Sequence, residues 1–309
     1  MALHSFLGMT IGVPEPERLE AFYVGMGLAG GSGRWGSRDA PDQIQVAEAR
    51  YRQLREIRVG CEAEGDLAAI AGRLERLGVA CHTRAGRLRC TEPQVGFDVV
   101  VEVAPPLQLA PQPGRVWNRP GEQARLHARA EAVIEEPCRP PRRLGHVVVG
   151  APDPRRAFAF FLEGIGFQSS DTIGEALNFM RCSTDHHNLL VQPSPVPHLN
   201  HYAFEFDDID AVGRAASCYL RDRSPDHDVL GLGRHSIGSN VFWYVKDPCG
   251  TMSEFYCDMD CIPDQETWER RKGPAPAALG VWGPQHPPQV FFAPADLEDI
   301  AKGREAEGR

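Results

Sequence analysis

FLGMTIGVPEPERLEAFYVGMGL, residues 6–28, and RLGHVVVGAPDPRRAFAFFLEGIGF, residues 143–167, are approximate copies of one another, offset by about 137–139 positions. A repeat of this length signals a unit that has been duplicated. In each copy a β-branched run leads into a Pro-acid-Pro helix start, and apolar residues then recur at helical spacing. In the second copy these are Phe158, Phe161, Leu162 and Ile165. Two further segments follow the same plan: LREIRVGCEAEGDLAAIAGRLERLG at 54–78 and LNHYAFEFDDIDAVGRAASCYLRD at 199–222. Four strand-then-helix modules, two per domain, follow.

Working outward, prolines 105, 106, 111, 113, 120, 137, 140 and 141 mark a linker. The expected division is an N-terminal domain at 1–104, a linker at 105–141, a second domain at 142–262 and an extension at 263–309 that wraps the surface. The chain of 309 residues is 42% hydrophobic, enough for a sizeable core. Its net charge of −9 is spread out, with no long basic run near aromatics, which argues against nucleic acid and anionic membranes as partners. No signal peptide and no apolar stretch of spanning length are evident, so a cytosolic location is expected. Nine cysteines without a C-x-x-C pair fit reduced thiols, Cys257 and Cys261 included.

The two halves differ in their chemistry. His146 lies opposite Met9, His201 opposite roughly Glu56, and Glu254 opposite roughly Val100. Each second-half residue falls in an apolar strand or at its edge. A lone histidine there is ordinarily a hydrogen-bonded core residue, but seven of the eleven histidines cluster between 146 and 235.

The stretch VFWYVKDPCGTMSEFY, 241–256, supplies the carboxylate. Asp247-Pro248-Cys249-Gly250 suits a turn, so a hairpin is expected. If Gly250 takes a left-handed conformation as a bulge, Tyr244 lies across from Glu254; with a plain two-residue loop Glu254 faces Trp243 instead. A glutamate among Met252, Phe255 and Tyr256 needs a cation or a donor. Two histidines and one carboxylate on neighbouring strands are the donors of a facial triad, which leaves three positions open on Fe(II). Catalytic zinc is a competing possibility. Of the pair His186 and His187, one should face inward and one outward by strand alternation, and His235 and Tyr244 add two more proton-bearing groups. Such a set suits a substrate with two ionisable hydroxyls.

Together LGHVVV, LNHYAFEF, DHHNLLV, LGRHSIGSNVFWY and DPCGTMSEFY resemble the C-terminal domain of type I extradiol catechol dioxygenases, of the 2,3-dihydroxybiphenyl 1,2-dioxygenase kind, in the vicinal oxygen chelate superfamily. The resemblance implies an α+β fold of two domains, each an open barrel of two βαβββ modules. It implies Fe(2+) held by His146, His201 and Glu254, with His187 as the acid–base residue and His235 and Tyr244 bonded to a bound catecholate. Val148 and Phe179 match pocket-wall positions, and Ile237 and Trp243 are expected beside them. The implied activity is ring cleavage of a substituted or bicyclic catechol with O2, as in aromatic hydrocarbon catabolism, by a protein built from several copies. Ile237 and Gly238 depart from the polar residues often found after the loop histidine, which leaves the substrate open. The alternatives are a glyoxalase-like Zn or Ni enzyme and a metal-free small-molecule binder of the same superfamily.

Overall fold

The computed structural model describes residues 2–134, 139–274, 279–284 and 287–308; Pro137 of the expected linker and parts of the expected extension lie outside them. The first half runs β1 (Leu3–Val13), α1 (Pro16–Gly25), β2 (Ala29–Gly31), β3 (Arg34–Gly36), β4 (Ile44–Glu48), β5 (Gln53–Cys61), α2 (Glu64–Arg76), β6 (Cys81–Arg84), β7 (Arg87–Thr91) and β8 (Asp98–Val103). A short helix α3 (Glu131–Ile134) lies between the halves. The second half repeats the order: β9 (Arg143–Ala151), α4 (Pro154–Ala159), β10 (Gln168–Ile173), β11 (Leu177–Arg181), β12 (Leu189–Pro193), β13 (His198–Glu205), α5 (Ile209–Leu220), β14 (Asp228–His235), β15 (Val241–Lys246) and β16 (Met252–Cys257). Last come α6 (Gln265–Arg271), β17 (Gly280–Trp282), α7 (Gln289–Phe292) and α8 (Leu297–Ala306).

The strands form two open mixed sheets, ordered β2-β3-β4-β1-β5-β8-β7-β6 and β10-β11-β12-β9-β13-β16-β15-β14-β17. Each contains two βαβββ modules joined by antiparallel pairing of their first strands, β1 with β5 and β9 with β13. The fold is therefore α+β. No helix among the described residues is long and apolar enough to cross a membrane.

Strand alternation divides the second half into two apolar regions. Val147, Val149, Tyr202, Phe204, Phe255 and Cys257 point to one face and join the main core. There Tyr23 of α1 meets Tyr202 and Phe204 at ring separations of 6.5 and 6.3 Å, so the first half backs the central strands of the second. Val148, Phe179 and Leu190 point to the other face and form a separate cluster with Ile237. That opposite face carries the histidines.

One local difference from the sequence pattern concerns the helix after β9. It continues from α4 as a π-helical turn over Phe160–Ile165, ending at Gly166 with φ 101°. Here α2 lies against it: a Cβ on Gly164 would come within 2.9 Å of Leu74, and Arg73 donates to the Gly164 and Ile165 carbonyls at 2.9 Å each. The wider turn leaves terminal carbonyls unpaired, and the guanidinium satisfies them.

Candidate active site

Three adjacent central strands, β9, β13 and β16, position the triad. Ala203 of β13 lies across from His146 on one side and from Glu254 on the other, so all three share a row and a face. His201 is two residues from Ala203 and therefore points the same way. The result is a compact group: Glu254 Oε2 is 2.9 Å from His146 Nε2 and 3.5 Å from His201 Nε2. The three donor atoms lie within 4.8 Å of one another, all on buried residues. Adjacent donors on a single ion, bonded at about 2.1 Å, sit roughly 3 Å apart, so the donor set fits one divalent cation.

The carboxylate is held by its surroundings. Asn240 Nδ2 donates to Glu254 Oε1 at 2.8 Å, and His235 Nε2 lies 3.8 Å from the same oxygen. Burial alone would push the Glu254 carboxyl up; the imidazoles of His146, His201 and His235 outweigh it and hold it well below the usual range. It is thus an anion in a dry site, and a cation is its natural complement.

The hairpin has the bulged register. Gly250 has φ 88°, Asp247 N–H donates to the Thr251 carbonyl at 2.8 Å, and Tyr244 lies directly across from Glu254. Tyr244 and His235 are joined by a 3.0 Å hydrogen bond. Burial and the Glu254 carboxylate push the Tyr244 hydroxyl well up, so it stays protonated as a donor. His187 completes the set, its ring 4.4 Å from that of His146; burial, with His146 and His186 beside it, pushes its pKa well down.

A cavity of about 80 Å³ opens onto these groups. Its walls include Val148, Phe179, Leu190 and Ile237, together with Phe291 and Phe292 from the end of the chain. Three expectations from the sequence are corrected here. Trp243 does not reach the cavity: it lies one residue from Tyr244, faces the opposite side of the sheet, and its indole donates to Asp228 at 2.9 Å. His186 does not face outward but is buried beside His187, because the pair sits in the loop between β11 and β12, where strand alternation does not apply. The C-terminal extension does not merely wrap the surface, since Phe291 packs edge-on against Tyr244 at 4.9 Å. Arg234, just before His235, is paired with Asp258 at 2.9 Å.

Two asparagines escaped the sequence reading. Asn240 lies one residue before the stretch read as hairpin strand. Asn200 sits at a register shift between Leu199 and His201. The bulge re-aims its side chain, which accepts from His201 Nδ1 at 2.7 Å and donates to the Phe291 carbonyl at 2.8 Å. The signal for it was an amide next to a candidate ligand, since ligating imidazoles ordinarily give their other nitrogen to a polar partner.

Fold and donor set together define a class. Residues 143–255 match the family model "Glyoxalase/Bleomycin resistance protein/Dioxygenase superfamily". The chain is 29% identical to Metapyrocatechase 2 of Cupriavidus necator over 257 residues, covering 78% of this chain and 75% of the relative. It is 31% identical over 123 residues to biphenyl-2,3-diol 1,2-dioxygenase of Paraburkholderia xenovorans, a match spanning 36% of this chain and 40% of that one. Among solved structures, 2,2',3-trihydroxybiphenyl 1,2-dioxygenase of Sphingomonas wittichii aligns with a TM-score of 0.68 at 20% identity, covering 93% of this chain and all of that one (100%). An Mn(II)-bound glyoxalase of Novosphingobium aromaticivorans aligns equally well, TM-score 0.68 at 22% identity, covering 96% and 99%. At such identities the likeness establishes the fold, which two chemistries share.

Proposed function

We propose that this protein is an extradiol dioxygenase that cleaves the ring of a substituted or bicyclic catechol beside its hydroxyl pair, using Fe(II) and O2. The observation that carries the reading is a single cavity onto which the triad His146, His201 and Glu254 opens together with His187, His235 and Tyr244. A glyoxalase-like site needs the triad but has no use for three further proton-handling groups. The names of the curated relatives support the catechol, and a largely apolar wall supports a hydrophobic ring substituent.

His146, His201 and Glu254 would hold the metal; bound there, a ferrous ion supplies open coordination positions for the diol and dioxygen and the electron-transfer chemistry between them. The chain does the rest. Tyr244 and His235, hydrogen-bonded to each other, orient one hydroxyl and stabilise its ionised form. His187, on the opposite wall, takes a proton from the diol and returns it to an oxygen as the ring opens. Val148, Phe179, Leu190 and Ile237 hold the ring and exclude water. The first half carries Met9 and Val100 in place of His146 and Glu254 and serves as a scaffold. The division at 1–104, 105–141, 142–262 and 263–309 belongs to this proposal, as does a cytosolic assembly of several copies.

The test is oxygen uptake over a panel of catechols after anaerobic reconstitution with Fe(II). One O2 consumed per catechol with a yellow ring-opened product is expected, and His187→Ala should keep its iron while turning over at least about 100-fold more slowly. No uptake with any catechol, or wild-type turnover in His187→Ala, would overturn the reading.

A further inference from the structure

Behind His187 lies a chain of polar groups that the proposed reaction has not used. His187 Nδ1 is 3.1 Å from His186 Nδ1, and His186 Nε2 is 2.9 Å from Asp171 Oδ2. Asp171 Oδ1 in turn lies 3.4 Å from the Lys272 ammonium. His186 is fully buried, packed edge-on against Phe179 and Trp268 at 5.9 and 5.5 Å. A second imidazole buried behind the first, with a carboxylate behind it, is more than packing requires.

The hydrogen-bond rules fix which atoms carry protons. Burial alone would push the Asp171 carboxyl up, but the hydrogen bond from His186 and the charge of Lys272 hold it below its usual range. An ionised carboxylate only accepts, so His186 Nε2 bears the hydrogen. A neutral His186 then has a bare Nδ1, which can only accept. His187 Nδ1 must therefore donate to it, and the nitrogen left for the cavity, Nε2, is bare. For an uncharged His186 each step follows from the one before, and the last places a base where the diol would sit.

We propose that Asp171 and His186 are positioning residues: through two successive hydrogen bonds they hold His187 in the tautomer that presents an unprotonated Nε2 to the substrate. The assignment rests on the reading of His187 as the acid–base residue. It resembles in logic the carboxylate that orients a catalytic imidazole in a hydrolase triad, extended here by one ring. Lys272 defines the informative variant. In Asp171→Asn the ammonium keeps the amide oxygen, so the amide N–H turns to His186 Nε2 and reverses every donor in the chain.

The experiment uses the full chain, labelled with 15N-histidine and supplied with diamagnetic Zn(II). The His187 signals are identified by their loss in His187→Gln. Expected are a protonated Nδ1 and bare Nε2 in the wild type, the reverse in Asp171→Asn, and the wild-type pattern again in Asp171→Glu. With Fe(II), Asp171→Asn should lose about 100-fold in kcat with little change in KM, and Asp171→Glu should recover part of it. A wild-type His187 protonated at Nε2, or an Asp171→Asn variant with an unchanged tautomer, overturns the proposal. The tautomer is read without turnover. A chain that shows the expected switch but cleaves no catechol would thus count for the positioning assignment and against the dioxygenase reading.

Discussion

Tyr244 stands directly across from Glu254 on neighbouring antiparallel strands, and the residue that sets this register is Gly250, four positions beyond Lys246 in the connecting turn. Gly250 holds φ 88° with nothing within 4 Å of the place a Cβ would occupy. A side chain there would be strained by its backbone and not by a clash. Gly250→Ala should therefore cost about 1–2 kcal/mol in urea denaturation. No loss at all would mean that the turn does not depend on the left-handed residue.

Ala203 occupies the middle of the row between His146 and Glu254 and is fully buried. Its methyl leaves the space into which the three donors converge. Ala203→Leu should remain folded with a loss of about 1–3 kcal/mol from overpacking, yet bind no metal. Metal retained at the wild-type level would place the ion elsewhere.

Phe291 closes the cavity from the far end of the chain, and its neighbourhood is pinned by Arg52, which pairs with Asp296 at 2.5 Å and donates to the Leu199 carbonyl at 2.6 Å. Phe291→Ala removes the ring but keeps the backbone carbonyl that holds Asn200. The expected result is an unchanged metal content and a KM for catechols raised about tenfold, the equivalent of one lost aromatic contact. A KM that does not move would remove Phe291 from the substrate wall.

His198 gives the fold a pH dependence of defined sign. Burial pushes its pKa down from 6.5 to about 4. The unfolded chain thus binds the proton more tightly, so the stability that the neutral ring provides is fully present above pH 6.5 and is lost as pH falls through about 4, by about 3 kcal/mol at most. Denaturation midpoints measured across this window should fall more steeply for the wild type than for His198→Gln. Parallel curves would show that the ring is not buried neutral.

Much of this architecture is legible in the sequence because it rests on local periodicity. The repeated strand-Pro-acid-Pro-helix pattern marks the modules, and Gly250 permits the register that brings Tyr244 to Glu254. The same register turns Trp243 to the opposite side of the sheet, away from the pocket wall. Alternation misplaced His186 because the DHHN segment is a loop stitched to the chain just after β16 by the Asp185–Cys261 bridge. Asn200 depends on a bulge that shifts one residue, a feature without a compositional mark. Phe291 lies about ninety residues from Asn200, which its carbonyl contacts, and only three-dimensional packing brings the two together.

Three side chains from separate strands, His146, His201 and Glu254, are placed to grip one ion. Metal content of anaerobically prepared protein after Fe(II) loading and desalting measures it most directly, with His146→Ala, His201→Ala and Glu254→Ala alongside. The account predicts one iron per wild-type chain and essentially none in any of the three variants. A wild type that retains no iron, or a Glu254→Ala chain that retains a full equivalent, would contradict it.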